Sequence, residues 1–218
     1  NAFDIKDIDN SEVNLLSNAI DINNFINVDR STVNKLKHQL DINDETKIIG
    51  HIGRFSEEKN HKFIIQLAKE LNKNNRDFLI LLIGTGPLEN EIKSLIRENN
   101  LNSNVKILGV REDIDILMNL FDVFILPSVF EGLPLVTVEA QSAGTRCIVS
   151  DSVSNEVDMG LGLVKQLPIH NESLDKWESE IFDEQSIELS KEEILEKITL
   201  KGYNVKQNVN KLYELYEI

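Results

Sequence analysis

The sequence has 218 residues, 41% of them apolar, which is long and apolar enough for one large folded domain and excludes a disordered tail. Its formal net charge is −14, from 23 Lys and Arg against 37 Asp and Glu residues. So acidic a surface argues against broad nucleic-acid binding and against docking on anionic lipid. A small anionic ligand remains compatible with it, provided that a few cations are gathered locally.

The cellular setting is suggested by three features. Cys147 is the one cysteine, so no internal disulfide can form, and its apolar surroundings ("RCIVS") favour a buried structural thiol over a nucleophile. There is no signal peptide and no apolar stretch of spanning length, so we expect a cytoplasmic chain without direct membrane insertion. Because the chain begins at Asn1 rather than Met, we expect a fragment, a processed product or a recombinant piece.

The predicted elements alternate between short apolar strands and longer amphipathic helices. Residues 1–45 contain a strand candidate ("VNLLS", 13–17), a turn-like stretch ("NAIDINNF", 18–25) and a helix near 30–40. Strands are predicted at 47–53, 78–84, 105–109, 122–128 and 146–150, and helices at 61–74, 88–99, 113–120 and 134–144. From residue 170 onward the sequence is acidic and helical, closing on "VKQNVNKLYELYEI".

Near-continuous apolar strands separated by helices predict an α/β fold, a Rossmann-like, doubly wound parallel sheet with helices on both faces. We divide the chain into an N-terminal segment (1–20), the sheet domain (21–200) and a C-terminal helix (201–218). Ligands of such sheets bind in loops at the carboxyl ends of the strands, and three of these loops are unusual.

The first loop, "GRFSEEKN", follows the strand at 47–53 and carries Arg54 and Lys59. A planar guanidinium and a compact ammonium at one strand end suit a phosphate group. An ordinary solvated loop with two basic residues explains the pattern equally well.

The second loop, "IGTGPLENE", contains Gly84 and Gly86, followed by Pro87 at a helix start. The two glycines could let a ligand approach the backbone, but a Gly-x-Gly without a third glycine is weak evidence for a cofactor site. A tight turn between strand and helix is the favoured interpretation.

The third loop opens the stretch "FEGLPLVTVEA", an apolar neighbourhood with two carboxylates, Glu131 and Glu139. If Pro134 starts a helix, the amides of Gly132 and Leu133 lie at its N-terminus, a natural anion site. Glu139 then lies about 9 Å further along, too far for a coupled acid–base pair on one bond. The two acids could instead hold hydroxyls at opposite ends of an extended ligand. In the alternative, Glu131 caps the helix and Glu139 faces solvent.

Four motifs occur in the order and spacing found in family 4 (group 1) retaining glycosyltransferases: "NAID", "GRFSEEKN", "IGTGPL" and "LPSVFEGLPLVTVEAQSAG". The sequence resembles the C-terminal, nucleotide-sugar-binding half of the GT-B fold in that family. Further sequence segments, such as "LGVREDI" and "SDSVSNEVD", are similar to those of exopolysaccharide and capsule glycosyltransferases of the EpsF type.

The resemblance implies a role for each motif residue. Arg54 and Lys59 would hold the donor diphosphate and, with Glu131, form the catalytic set. Glu131 would bind hydroxyls of the transferred sugar and Glu139 those of the ribose. The remaining implied donor contacts are Gly53, Gly84, Gly86, Gly132, Leu133 and, for the base, Val110 and Arg111.

The resemblance also implies a substrate and partners. The donor would be a nucleotide sugar, UDP-linked to a hexose or N-acetylhexosamine, transferred with retention and without a metal or other cofactor. The acceptor, a glycan or a lipid-linked sugar, would bind a missing N-terminal half that carries a catalytic His. The full-length protein would then work in the cytoplasm or at the inner face of the membrane, and this chain alone would bind nucleotide but turn over poorly.

The sequence departs from the family's motifs at two turns, where Asn60 and Ala19 replace glycines. Because both positions lie in backbone turns, the replacements put the loop geometry in question more than the chemistry. His38, His51, His61 and His170 are not obvious substitutes for the missing catalytic His. For His51 we expect a place in the core or a ring contact.

Two other functions stay open at this point. A nucleotide-sugar epimerase of similar fold is disfavoured by the Glu-x7-Glu spacing and by the loop with Arg54 and Lys59. A non-catalytic nucleotide-binding or scaffold module gains weight from the missing acceptor half and the acidic surface.

Overall fold

A computed structural model describes residue 16 and residues 18–184 and 187–216. In this part of the chain six strands form one sheet: β1 (Lys47–Ile52), β2 (Phe78–Ile83), β3 (Val105–Gly109), β4 (Val123–Leu126), β5 (Arg146–Ser150) and β6 (Val164–Leu167). All neighbouring strands are parallel, in the order β3-β2-β1-β4-β5-β6. The doubly wound sheet is therefore confirmed, and its strand order reverses between β1 and β4.

The helices connect these strands and close the two ends of the chain. They are α1 (Ile22–Ile26), α2 (Arg30–Gln39), α3 (His61–Lys73), α4 (Glu89–Glu98), α5 (Ile114–Leu120), α6 (Leu135–Ser142), α7 (Leu174–Ile181), α8 (Lys191–Leu200) and α9 (Val205–Tyr216). Residues of α1, α2, α5, α6 and α8 pack in one core cluster, and those of α3, α4 and α7 in another. Helices on both faces were predicted, and both faces are covered.

Strand β2 shows why the apolar runs predict a sheet that is buried on both sides. Its six residues are all buried, and they alternate between the two core clusters. Leu79, Leu81 and Ile83 pack on the side of α5 and α6, whereas Phe78, Ile80 and Leu82 pack on the side of α3 and α4. Each such side chain contributes roughly 1.5–3 kcal/mol of burial free energy.

The sequence prediction missed two elements. Strand β6 lies at the edge of the sheet and carries the polar residues Lys165 and Gln166, so no continuous apolar run marks it. The stretch 18–25, predicted as a turn, contains α1, which starts because the Asp21 carboxylate accepts a hydrogen bond from the Asn23 amide at 3.1 Å. The strand candidate at 13–17 lies outside the described residues except for Leu16.

The two ends of the sheet domain meet. The Ile20 amide donates to the Tyr203 carbonyl at 3.0 Å, and the Val205 amide donates to the Ile20 carbonyl at 3.1 Å. Helix α9 begins at this contact and has no buried residue, so Leu212, Tyr213 and Tyr216 stay exposed. None of the described helices is long and apolar enough to cross a membrane.

Cys147 is a structural thiol, as expected. It lies in β5, is buried, and donates to the Thr145 carbonyl at 3.4 Å. Burial raises the pKa of this thiol well above its usual range, because a thiolate would lose its hydration there. The group is therefore not a nucleophile at neutral pH.

Candidate functional site

The candidate site lies where the strand order reverses, between the carboxyl ends of β1 and β4. The loop after β1 (residues 53–60) and the loop after β4 (residues 127–134) face each other there. The Val129 amide donates to the Glu58 carbonyl at 2.8 Å, which ties the two loops together. We call the space between them the crevice, since open α/β sheets bind ligands at this position.

Lys59 and Glu131 meet across the crevice in an ion pair. Their side chains are 18% and 19% exposed, so both charges are largely out of water. The Ser128 hydroxyl lies 3.5 Å from the same carboxylate oxygen of Glu131. Lys59 therefore compensates the partly buried Glu131 carboxylate. This ion pair explains how one of the two acids of the apolar stretch 130–140 is stabilised there.

Arg54 lies on the same loop with its side chain exposed. Its guanidinium makes no hydrogen bond or ion pair with the residues that the structure describes. Five donors in a planar fork are thus available to a phosphate ligand.

Asn60 preserves the loop geometry that a glycine would give. It follows a 3-10 turn at Glu57–Lys59 and adopts the left-handed conformation, with φ 53° and ψ 45°. Asn enters this region at lower strain than most residues other than Gly. The departure at position 60 is therefore compatible with the turn that presents Lys59.

The glycines of the second loop let two loops pack closely. A Cβ on Gly84 would lie 2.2 Å from the Gly53 carbonyl oxygen, and one on Gly86 would lie 2.5 Å from the Phe55 carbonyl oxygen. The Phe55 amide donates to the Thr85 carbonyl at 3.1 Å, which joins the same loops. This packing supports the tight-turn interpretation, and a contact of Gly84 or Gly86 with a nucleotide stays a prediction.

Glu139 differs from Glu131 in having no partner. It lies in α6, half-buried, and its carboxylate makes no hydrogen bond or ion pair with any described residue. Burial raises the pKa of this carboxyl group above its ordinary value. A half-buried carboxyl group without a protein partner can accept hydrogen bonds from the hydroxyl groups of a ligand.

Gly132 and Leu133 directly precede α6, whose N-cap is Pro134. A helix start therefore lies where the sequence predicts it. Gly132 is exposed, and nothing lies within 4 Å of the position that its Cβ would occupy. A phosphate could approach the backbone here without a steric obstacle.

The segment proposed for the base follows β3. Val110 is 73% exposed, and the Arg111 guanidinium is held by Asp113 through two hydrogen bonds of 2.8 and 2.6 Å. The Gly84 amide donates to the Gly109 carbonyl at 2.8 Å, so this segment adjoins the second loop. The structure places Val110 and Arg111 at the same edge of the sheet as the crevice, one strand beyond Gly84.

Sequence reasoning placed His51 in the core or in a ring contact but missed its buried partner under the first loop, His61. The rings of His51 and His61 meet edge to face at 4.7 Å, and His61 stacks on Phe55 at 4.1 Å. Burial lowers the pKa of His51 well below its usual range and that of His61 to about 4, so both rings are neutral at pH 7. The expected ring contact of His51 is confirmed. The spacing "HIGRF…KNH" was the available signal, since it places both rings beside the loop with Lys59.

The described residues contain no group of three or more His, Cys, Asp or Glu side chains placed to hold a metal ion.

The fold is that of one half of a GT-B glycosyltransferase. The profile of the family "Glycosyl transferases group 1" matches residues 32–159 of the chain. The chain belongs to this family.

Particular relatives agree with the family assignment. Over 217 residues the chain is 40% identical to EpsF of Bacillus subtilis (strain 168), whose name assigns it to the glycosyltransferases, and the match covers 99% of this chain and 56% of EpsF. It is 32% identical over 174 residues to the UDP-Gal:alpha-D-GlcNAc-diphosphoundecaprenol alpha-1,3-galactosyltransferase of Escherichia coli, a match that covers 76% of this chain and 44% of that enzyme.

Among solved structures, the fold is similar to Anabaena Alr3699/HepE in complex with UDP and glucose. The TM-score is 0.76 at 21% identity, over 94% of this chain and 56% of that one. The chain thus spans about half the length of the relatives that it matches.

Proposed function

We propose that this chain is the donor-binding half of a retaining, metal-independent glycosyltransferase of exopolysaccharide or capsule biosynthesis. Its donor is a nucleotide sugar, UDP-linked. The observation that carries the proposal is the convergence of Arg54, Lys59, Glu131 and the start of α6 in the crevice where the strand order reverses.

The crevice suits a diphosphate because it places two cations and a helix N-terminus at one edge of the sheet. Arg54 offers a free planar fork, Lys59 a point charge, and α6 the positive end of its dipole. Groups fixed in this way stabilise a charge that develops at a known position, often the largest catalytic term.

We infer the following reaction, in which the sugar is transferred with retention. The bond between the anomeric carbon and the diphosphate oxygen breaks, and its electron pair stays on the diphosphate, next to Arg54 and Lys59. The acceptor hydroxyl oxygen forms the new bond on the same face of the sugar, and its proton is transferred to the leaving diphosphate. Two cations supply the countercharge, so no divalent ion is needed in this scheme.

Donor binding exchanges the partners of the Lys59–Glu131 pair. The diphosphate takes over the ammonium of Lys59, and a sugar hydroxyl donates to the carboxylate of Glu131. Glu139, which has no partner among the described residues, accepts from the ribose hydroxyls. Both carboxylates of "FEGLPLVTVEA" thus have a physical reason to lie in an apolar stretch.

The substrate and partners of the whole protein are inferred from the relatives. The Escherichia coli enzyme is named for UDP-Gal and a diphosphoundecaprenol acceptor, and the Anabaena structure contains UDP and glucose. We infer a UDP-sugar donor, and a glycan or lipid-linked acceptor that binds through a further domain of the whole protein. The full protein would act in the cytoplasm, peripherally at the inner membrane face.

Calorimetry with UDP and UDP-sugars, with and without EDTA, tests the proposal. We expect binding that EDTA does not change and that Arg54→Glu abolishes, because a reversed charge repels the diphosphate. Arg97→Glu, at an exposed position of α4, is the matched control and should bind as the wild type does. Undiminished binding by Arg54→Glu would remove Arg54 from the site, and binding that requires a divalent ion would overturn metal independence.

A further inference from the structure

Three buried side-chain nitrogens have no hydrogen-bond partner in the part of the chain that the structure describes. They are Nε2 of His51 and both ring nitrogens of His61. Buried polar atoms without partners are uncommon in native proteins, because each forfeits its hydration without replacement. Their concentration in two adjacent rings calls for a physical reason.

The orphaned nitrogen of His51 and the aliphatic stem of Lys59 lie beside the same point of the backbone, at Gly53. The position that a Cβ on Gly53 would occupy lies 3.2 Å from His51 Nε2, 3.1 Å from Lys59 Cδ and 3.2 Å from Lys59 Cγ. The stem of Lys59 therefore crosses the bare backbone of Gly53 beside the edge of the imidazole.

The tautomer of His51 is set by its other nitrogen. Nδ1 lies 2.9 Å from the Ile125 carbonyl oxygen in β4, an acceptor, so Nδ1 carries the proton. Nε2 then presents a lone pair beside Gly53, where the stem of Lys59 also passes, and the partial negative charge of Nε2 lies next to the loop whose ammonium pairs with Glu131. A phenyl ring at this position would offer no such charge.

His61 fixes the ring of His51 in this orientation. It contacts that ring edge to face and stacks on Phe55, a residue of the loop that carries Lys59. Both contacts involve fully buried groups, so the His51 ring has little freedom to turn away.

We propose that His51, supported by His61, is a positioning residue that holds Lys59 on a single path across Gly53 toward the crevice. This inference rests on the proposed function, in which Lys59 binds the donor diphosphate. A lysine side chain has many rotamers, and a donor that meets an ordered ammonium does not have to order it. Glu131 holds the ammonium of Lys59, whereas the neutral rings border its stem and themselves add no charge that would compete with the diphosphate.

A double-mutant cycle with UDP tests the inference. His51→Asn keeps an amide N–H near the position of Nδ1 and removes the Nε2 edge. Affinities are measured by NMR titration, which reaches millimolar dissociation constants. We expect His51→Asn to weaken UDP binding about tenfold in the wild type and in Arg54→Gln, but less than twofold in Lys59→Gln.

Equal weakening in all three backgrounds would show a general structural role and overturn the inference, as would no weakening in the wild type. His38→Asn, on the exposed face of α2, is the matched control and should leave binding unchanged. Should His51→Asn fail to fold, Gly53→Ala takes its place. Its methyl group would press on the same stem and should follow the same pattern across the backgrounds.

A second readout without ligand separates this inference from the proposed function. In the 1H–13C spectrum of the free protein, His51→Asn should shift the Cε signal of Lys59, and His38→Asn should not. An unmoved signal would overturn the positioning role. Unchanged UDP affinity in Lys59→Gln would overturn the proposed function alone, since the Lys59 signal still reports whether His51 orders the side chain.

Discussion

Two regions at the crevice, a rim and an interior, differ in whether their polar side chains have partners. At the rim, Lys59 and Glu131 compensate each other in an ion pair. We call Glu139 of α6 and the pair His51–His61 beneath the first loop the interior; they have polar atoms without partners among the described residues, and burial shifts each pKa in the direction that favours the neutral form. The rim is thus stable without a ligand, whereas the interior holds the Glu139 carboxyl group without a described partner and keeps both histidines neutral.

Removing one member of the rim pair should have the largest effect. Lys59→Met leaves the Glu131 carboxylate partly buried without a partner, and we expect a loss of about 2 kcal/mol in the free energy of unfolding. UDP binding should weaken at least ~30-fold, because the diphosphate loses one of its two cations. A ~30-fold loss corresponds to about 2 kcal/mol of binding free energy. Urea denaturation and calorimetry measure the two losses.

Lys69→Met, at an exposed position of α3, is the control for the loss of a lysine. Adding Glu131→Gln to Lys59→Met should restore part of the stability. If it restores none, the carboxylate is not the source of the loss and the contrast between rim and interior fails.

The neutral histidines should make stability depend on pH. The pKa of His61 falls to about 4 on folding, from 6.5 in the unfolded chain, so between these values the unfolded state binds more protons. Stability must therefore decrease as the pH falls from 6.5 toward 4. The contribution of His61 at pH 5 relative to pH 7 is about 2 kcal/mol.

His61→Phe keeps a ring on Phe55 but cannot titrate, so its stability should decline less between pH 7 and pH 5. Chemical denaturation at several pH values measures the slope, and His38→Phe is the exposed control. Identical slopes for His61→Phe and the wild type would show that His61 is not held neutral by the fold.

The unpaired acid of the interior should matter for binding more than for stability. Glu139→Gln removes a charge that no described residue compensates, so we expect stability to be unchanged or slightly increased. UDP binding should weaken about tenfold, because hydrogen bonds from hydroxyls to a charged acceptor are the stronger kind. Calorimetry and thermal unfolding separate these outcomes, and a large loss of stability would contradict the description of Glu139 as unpaired.

Glu131→Gln should have the smallest effect, with the opposite sign for UDP. The substitution frees Lys59 and removes a negative charge beside the diphosphate, so UDP should bind about threefold more tightly. Any advantage of a UDP-sugar over UDP should disappear, since the sugar loses its acceptor. Titrations of both ligands measure this, with Glu98→Gln at an exposed site of α4 as control. Weaker UDP binding would show that Glu131 does not compete for Lys59.

The contrast between rim and interior also marks how far the sequence predicts the molecule. The apolar runs predict five strands, and the rule for parallel sheets brings the loops with Lys59 and Glu131 to one edge. The ion pair depends on the register of β1 and β4 and on the Val129–Glu58 tether, which no local pattern encodes.

The interior was less accessible to sequence reasoning for a related reason. His51 and His61 are ten positions apart and meet only because α3 folds back on β1. Strand β6 was not predicted, because it contains Lys165 and Gln166 and so has no continuous run of buried apolar residues. Strand β3, at the other edge, was predicted because its sequence stays mostly apolar, so β6 was missed for its polar residues and not for its edge position alone.

The contact between Ile20 and Val205 has a mechanical consequence. Two backbone hydrogen bonds join Ile20, just before α1, to Tyr203 and Val205 at the start of α9. Helix α9 has no buried residue, and these bonds link its start to the segment before α1. A tilt of α9 about this link would leave the spacing of Lys59, Glu131 and Glu139 unchanged, because none of the three lies on α9.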